Sequence, residues 1–413
     1  MNSFDQELER RLAALREQGL QRELRRVDSP QGTRIVVAGR PLLNFSSNDY
    51  LGLANEPALK EAARKAVEQF GAGAGASRLL CGSLAPHHEL EDTLAAYKRT
   101  EAALSFSSGY TTALGTIGAL LDAEAAIIID KLAHACLVDA ARLCGAKLRV
   151  FAHNDLNSLE KILKWAHERS RGTRHAARPS RALIVTESVF SMDGDHAPLR
   201  DLVELKDRYG AWLMVDEAHA TGLYGEQRRG LAEAAGVAER IEIQMGTLGK
   251  ALGAAGGYIA GSRTLIDYLV NRARSFLFST APVPAAAAAA TAGVRFVQSI
   301  SGAERCARLW ERVEQLRGGL GGVPTGERQS AIVPLIIGGE TQAVEAAARL
   351  REQGIFLPAI RYPTVARGQA RLRVTLTAAH TEGDVNELLA ALASLGLVGT
   401  RERNATPISN LKS

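Results

Sequence analysis

Apolar residues recur along the chain with two periods. Residues 4–26 place Leu8, Leu12, Leu15, Leu20 and Leu24 at helical spacing, which predicts an amphipathic helix. A short β pair is expected at about 33–45, TRIVVAGRPLLNF. From about 100 to 260, apolar runs alternate with helical stretches. Strands are predicted at 102–106, 126–130, 147–151, 182–187, 211–216, 241–246 and 256–260, and helices near 110–121, 134–143, 155–169 and 198–209. This alternation predicts an α/β fold with a mostly parallel sheet covered by helices. A long helical zone follows at 282–320, through the alanine run 285–290. Gly318–Gly326, GGLGGVPTG, reads as a loop and a boundary. Strands at 331–337, 355–360 and 371–376 then alternate with helices at 341–353 and 382–395, a smaller α/β unit. Residues from about 400 are polar and read as a frayed end.

Composition narrows the class. The 413 residues are 46% hydrophobic and 23% charged, near the average for globular proteins, which excludes disorder, collagen and a disulfide scaffold. No run of ~18 apolar residues is free of charge or glycine, so no membrane span is expected. Met1–Pro30 lacks an apolar signal core, so a cytoplasmic protein is expected. Cys81, Cys136, Cys144 and Cys306 show no paired spacing, which fits reduced thiols.

The net charge of +5 can mark a nucleic-acid binder. Its location argues otherwise. Segment 164–181 holds six Lys/Arg and one Glu, and the rest of the chain balances at 44 against 44. No aromatic stacking run accompanies it, so it reads as a solvated Arg-rich loop, with a polyanion contact as the alternative. The basic residues are also unequal, 10 Lys to 40 Arg. Between Lys206 and Lys412 the one lysine is Lys250, inside the Gly/Ala-rich stretch TLGKALGAAGGYIAG. A desolvated lysine can lose its proton and act as nucleophile or base, which arginine cannot.

Six constellations could carry chemistry. Strand 211–215 delivers Asp216, with His219 three residues on. In parallel sheets ligands bind outside the carboxyl ends of the strands. A helix cap or half of a metal pair are the alternatives. Next, a strand runs into Thr247-Leu248-Gly249-Lys250. The phosphate-loop and dinucleotide fingerprints are absent. A Gly-rich hairpin would explain the glycines, but a Schiff-base lysine paired with an Asp at a pyridinium nitrogen fits the residue types better. In SFSSGYTTALG, a strand ends in Ser107-Ser108-Gly109-Tyr110 and opens a helix, whose free N–H groups can bind phosphate. His134 follows a strand end and could cap a helix or stack on a planar cofactor. Strand 182–187 ends in Glu187, followed by Ser191-Met192-Asp193-Gly194-Asp195, which lacks calcium-loop spacing and reads as a turn. Last, Arg361, Arg367, Arg371 and Arg373 flank a Pro turn and a strand, with Arg361 the best carboxylate clamp. Phosphate turn, stacking His, Asp–His and Lys thus appear in chain order at successive strand ends, each a part that one cofactor needs.

The stretches NFSSNDYLGL, SVFSMDGDHAPL, VDEAHATGLYGEQ, TLGKALGAAGGYI and RYPTVARGQARLRVTLTAAH resemble the α-oxoamine synthases, fold-type I pyridoxal phosphate enzymes, over about residues 8–395. The resemblance implies a large cofactor-binding domain at 46–300 with a mostly parallel seven-stranded sheet. It also implies a smaller α/β domain at 301–398, after an N-terminal helix and β segment at 1–45. Lys250 is implied to carry the cofactor and move the α-proton. Asp216 pairs with the pyridinium nitrogen, His219 bonds the phenolic oxygen, and His134 stacks on the ring. Gly109, Tyr110 and Thr247 hold the phosphate end, Ser191 lies by the ring oxygen, and Ser279 and Thr280 come from a partner subunit. Arg361 clamps the substrate carboxylate, and Thr364 and Arg25 contact the acyl substrate. FSSNDYLGL, FAHND and TLTAAH tip the choice toward the branch that joins L-alanine to a pimeloyl thioester. A sister branch joining glycine to an acetyl thioester is the alternative. A homodimer is implied, with no nucleic-acid or membrane partner. Ser188 and Ala366 stand where relatives often carry Gly and Pro.

Overall fold

The structure is a computed structural model that describes residues 2–171, 182–321 and 330–398. The chain forms two compact units, Asn48–Cys306 and a second made of Met1–Ser47 with Ala307–Ser413. The expected frayed end from about 400, and residues 172–181 of the basic segment, lie outside the described residues.

The N-terminal part of the second unit holds α1 (Ser3–Glu17) and an antiparallel pair, β1 (Arg34–Val37) with β2 (Arg40–Asn44). The helix expected to reach residue 26 ends nine residues earlier. Gly19 adopts φ +65°, and the N–H groups of Gly19 and Leu20 return to the carbonyls of Arg16 and Leu15. That is a Schellman stop, which leucine spacing alone does not reveal. Leu20 then turns inward, while Leu24 is fully exposed.

The larger unit opens with two helices that periodicity left unassigned, α2 (Pro57–Phe70) and α3 (Ala85–Lys98). Its sheet and helices follow in alternation: β3 (Ala102–Phe106), α4 (Gly109–Leu120), β4 (Ala126–Asp130), α5 (Ala135–Leu143), β5 (Lys147–Phe151) and α6 (Leu156–Arg171). Then come β6 (Ala182–Glu187), α7 (Leu199–Tyr209), β7 (Trp212–Asp216), the short α8 (Leu231–Ala234), β8 (Ile243–Thr247) and β9 (Gly257–Gly261). Helices α9 (Arg263–Arg272), α10 (Arg274–Leu277) and α11 (Pro284–Gln298) follow, and α12 (Ile300–Gly319) leads out of the unit. The seven-stranded sheet has the order β3-β9-β8-β7-β6-β4-β5, with β9 antiparallel to both neighbours and the remaining pairs parallel.

Strands β4, β6 and β7 are near-continuous apolar runs, as a sheet covered on both faces requires. Alternate residues divide between the faces. Ile127, Ile129, Leu183, Val185, Met214 and Met245 pack with Ala113, Ile117 and Leu137 of α4 and α5. Ile128, Ile184, Leu213 and Val215 pack with Leu159, Leu163, Leu202 and Val203 of α6 and α7. Each fully buried Ile or Leu contributes about 1.5–3 kcal/mol, so such a strand can carry one charged residue at its end. Continuing the alternation, Glu187, Asp216 and Thr247 fall on the α4/α5 face. The candidate chemistry sits there.

The C-terminal part of the second unit holds β10 (Ile332–Gly338), α13 (Glu340–Glu352), β11 (Ile355–Phe356), β12 (Ala359–Ile360), β13 (Ala370–Thr375) and α14 (Glu382–Ser394). The single strand expected at 355–360 divides. β11 pairs parallel with β2, and β12 pairs antiparallel with β13 in the sheet β10-β13-β12. Pro358 lies at the break, where its missing N–H suits a change of sheet. Among the described residues, no helix is long and apolar enough to cross a membrane.

Candidate active site

Asp216 ends β7, almost wholly buried. Its Oδ1 accepts the Ala218 N–H at 2.9 Å, and its backbone carbonyl accepts the Ser188 N–H at 2.9 Å. Burial raises its proton affinity, and Lys250 opposes that rise. His219 lies on the turn that follows. Its Nε2 stands 2.8 Å from Lys250 Nζ, and its Nδ1 stands 2.5 Å from the Tyr50 hydroxyl. Lysine, imidazole and phenol therefore form one chain of contacts.

Lys250 sits in the turn between β8 and β9. The turn is tied by Leu248 N–H to the Gly256 carbonyl at 2.9 Å and by the Thr247 hydroxyl to the same carbonyl at 3.0 Å. Glycine is required at its exit. A Cβ on Gly257 would lie 2.8 Å from the Gly109 backbone nitrogen and 2.5 Å from Thr112 Oγ1. The Lys250 hairpin and the N-terminus of α4 can approach only because that side chain is missing.

Helix α4 starts at Gly109. Ser108 caps it, accepting the Thr111 N–H at 3.1 Å. The first N–H groups of a helix have no partner within it, and the helix dipole adds partial positive charge. Gly109, Tyr110 and Thr247 converge at this end, with the Thr247 side chain 3.9 Å from the ideal Cβ position of Gly109. Tyr110 is exposed, and its hydroxyl donates to Asp139.

His134 caps α5, its Nδ1 accepting the Cys136 N–H at 3.2 Å. The residue is exposed to solvent overall. Desolvation nevertheless lowers its proton affinity, against the pull of Asp216. Ser191 follows β6 at intermediate burial, and Ser279 and Thr280 precede α11, Thr280 in a β-bridge with Ser77. These residues all belong to the larger unit.

Arg361, Thr364 and Arg25 belong to the second unit. Arg361 Nη1 donates to the Gly19 carbonyl and Nη2 to that of Gln21 at 3.1 Å. Desolvation, then the nearby charges of Arg22 and Arg25, lower its pKa, so three guanidinium groups cluster there. Thr364 and Arg25 are exposed.

Two further residues enter from the structure. Glu187 pairs in register with Asp216 across β6 and β7. It is 2% exposed, the backbone N–H groups of His134 and Ser191 face its carboxyl, and Oε1 has no hydrogen-bond partner among the described residues. Burial, reinforced by the charge of Asp216, pushes its pKa up to about 8. Two strands each ending in a carboxylate was the available signal, but using it requires the strand order. Tyr50 is the other; its contact is with His219, 169 residues away in sequence, so no local pattern in NFSSNDYLGL reveals it.

The turn after β6 is held from outside. His153 bridges Asp130 Oδ1 at 2.9 Å and Asp195 Oδ2 at 2.7 Å. Burial alone would lower its pKa, but the two carboxylates raise it to about 10. His153 is thus an imidazolium that joins FAHND to SMDGDHAPL, the loop carrying Ser191.

The arrangement offers a helix-terminal anion site, a buried carboxyl, two imidazoles and a primary amine on one face of one sheet. Residues 40–392 match the family model described as aminotransferase class I and II. An 8-amino-7-oxononanoate synthase of Geotalea daltonii is 46% identical over 398 residues, 96% of this chain and 98% of that protein. Serine palmitoyltransferase from S. paucimobilis, solved with a bound PLP–myriocin aldimine, superposes with a TM-score of 0.86 at 28% identity, covering 96% of this chain and 100% of that one. An 8-amino-7-oxononanoate synthase from Francisella tularensis gives a TM-score of 0.70 at 25% identity, covering 86% and 98%. The chain belongs to the class I and II aminotransferase family and, within it, to the 8-amino-7-oxononanoate synthases.

Proposed function

We propose that the chain joins L-alanine to a pimeloyl thioester, releasing carbon dioxide and the free thiol, with pyridoxal phosphate as its resident cofactor. The observation that carries this reading is the convergence of Lys250, His219, Asp216 and the α4 N-terminus on one sheet face. The residues present fit the cofactor. The buried Oε1 of Glu187, without a hydrogen-bond partner among the described residues, and the α4 N-terminus, brought against the Lys250 hairpin at Gly257, are a polar lining rather than an apolar core.

Pyridoxal phosphate, when bound, supplies an electron sink for negative charge at the amino acid's Cα. The protein's residues do the rest. The N–H groups at Gly109 and Tyr110, with the Thr247 hydroxyl, hold the phosphate. Asp216 would pair with the ring nitrogen and keep that nitrogen protonated, because an opposite charge favours the charged form of both. His219 and Ser191 would bond the phenolic oxygen, and His134 would pack on the ring. Lys250 anchors the cofactor, takes the Cα proton as a general base and returns one after carbon dioxide leaves. Arg361 orients the substrate carboxylate, which as an anion outcompetes the neutral carbonyls of Gly19 and Gln21. Thr364 and Arg25 contact the acyl substrate. Ser279 and Thr280 serve the site of a second copy in a cytoplasmic homodimer.

A sister activity on another amino acid and acyl group is favoured by the tighter superposition on serine palmitoyltransferase, 0.86 against 0.70. Identity of 46% to an oxononanoate synthase against 28% to that enzyme favours the first reading. Borohydride trapping tests the anchor. Purified protein with pyridoxal phosphate should turn yellow, and reduction should fix the cofactor on Lys250. Lys250→Ala should neither trap it nor turn over. Turnover by that variant, or no absorbance change in the parent, sinks the reading.

A further inference from the structure

His134 and Ser191 stand on separate turns, one after β4 and one after β6, and His153, on the turn after β5, joins the two. Its Nδ1 lies 2.9 Å from Asp130 Oδ1 and its Nε2 lies 2.7 Å from Asp195 Oδ2. Asp130 ends β4 and is buried. Its Oδ1 also accepts the Leu132 N–H at 2.8 Å, and its Oδ2 accepts the Asn154 N–H at 3.0 Å. Asp130 thus shapes the turn that leads to His134, with both oxygens acting as acceptors. Asp195 closes the turn that holds Ser191, its backbone carbonyl accepting the Phe190 N–H at 3.0 Å. The Asn154 amide donates to Asp195 Oδ2 at 3.0 Å and to the His196 carbonyl at 3.2 Å, which uses its two hydrogens. Both nitrogens of His153 therefore face carboxylate oxygens, and only the imidazolium has an N–H for each. Phe190 meets the ring edge-on, with centroids 4.4 Å apart. The same two turns also converge on Glu187, whose buried carboxyl faces the N–H groups of His134 and Ser191.

We propose that His153 is a positioning residue whose positive charge locks the β4 and β6 turns together, and so sets where His134 and Ser191 stand toward the cofactor ring. Without that charge, Asp130 and Asp195 lose their shared counter-ion and repel one another. A neutral imidazole bonds one carboxylate and turns a lone pair to the other. The turn holding Ser191 can then shift relative to His134, although neither residue has been changed. The side chain of His153 is 24% exposed, so its replacement does not open a core. The consequence for the ring rests on the function proposed above, whereas the charged latch does not.

The test is a cycle of charge deletions. His153→Gln removes the cation, Asp195→Asn removes one carboxylate, and the double variant removes both. His153→Gln should weaken pyridoxal phosphate binding by about tenfold or more in an absorbance titration, because a 1 Å misplacement can cost on the order of 100-fold. It should also alter the visible circular dichroism of the bound cofactor, which reports the groups around the ring. Asp195→Asn alone should weaken binding too. The double variant should bind no more weakly than His153→Gln, because the carboxylate left unpaired by the first change is gone. Additive losses, or His153→Gln with unaltered binding and spectrum, overturn the proposal. ¹⁵N-histidine resonances of the cofactor-free parent at pH about 8, above the ordinary histidine pKa of about 6.5, test the charge whether or not the variants fold. One imidazole should remain protonated at both nitrogens, and nine histidines all neutral at that pH overturn the latch. A parent that binds no pyridoxal phosphate refutes the proposed function, and the resonances then decide the latch alone.

Discussion

Glu187 and Asp216 stand side by side in register on two parallel strands, both buried. Two carboxylates cannot both ionise cheaply in that position. Glu187 gives way, its pKa moving from an ordinary 4.5 to about 8. The sign for stability follows. Between these values the unfolded chain has lost the proton and the folded protein keeps it, so stability falls as pH rises. Stability from this group is fully present below about 4.5 and gone above about 8. In cofactor-free protein, the unfolding free energy from denaturant titrations should therefore decline across this window, by a few kcal/mol at most. Glu187→Gln cannot titrate and should flatten that decline, and an equal slope in the variant would contradict the assignment. At this scale the sequence was uneven in what it revealed. Asp216, His219 and Lys250 stand at or just after the ends of apolar strands, and their joint occurrence there, rather than any one residue type, marks them. Glu187 read only as the end of a strand before a turn, and Tyr50 only as part of NFSSNDYLGL, because their neighbours across the sheet and at the site are distant in sequence.

Elements position these groups by close approach. β9 and α4 meet at Gly257 and Gly109 with no room for a methyl group. Gly257→Ala should strain that contact by about 1–3 kcal/mol. Pyridoxal phosphate should then bind about tenfold or more weakly in an absorbance titration, since 1.4 kcal/mol is tenfold. Gly118→Ala is the control: it lies in the same helix with nothing within 4 Å of the added Cβ, and should bind as the parent does. The strands of the sheet were readable because buried runs of Ile, Leu and Val bounded by glycine and charge have few other readings. The ends and breaks were not. A Schellman turn at Gly19 stops α1 early, and Pro358 splits one apolar run between two sheets. The latter needs the partners β2 and β13, which no local pattern supplies. Helices α2 and α3 carried a usable signal, a proline in the first turn of each.

At the scale of the molecule, the chain forms two compact units. Asn48–Cys306 holds the amine, the imidazoles and the anion site, whereas Arg361 and its neighbouring arginines belong to the other unit. The fold class was legible from the alternation of strands and helices. The joining of residues 1–47 with the C-terminal segment was not, because it depends on β2 pairing with β11, three hundred residues away in sequence. The net charge, at first a sign of a basic partner, falls within 164–181, a stretch of sequence that contains no residue assigned to chemistry. The most direct measurement is product analysis with steady-state rates. Loaded enzyme is given L-alanine or glycine with pimeloyl and acetyl thioesters, and thiol, carbon dioxide and product mass are followed. The account predicts stoichiometric thiol and carbon dioxide from L-alanine and the pimeloyl thioester, at the highest kcat/KM of the four pairs. Faster condensation of glycine with the acetyl thioester, or no thiol release from any pair, would contradict it.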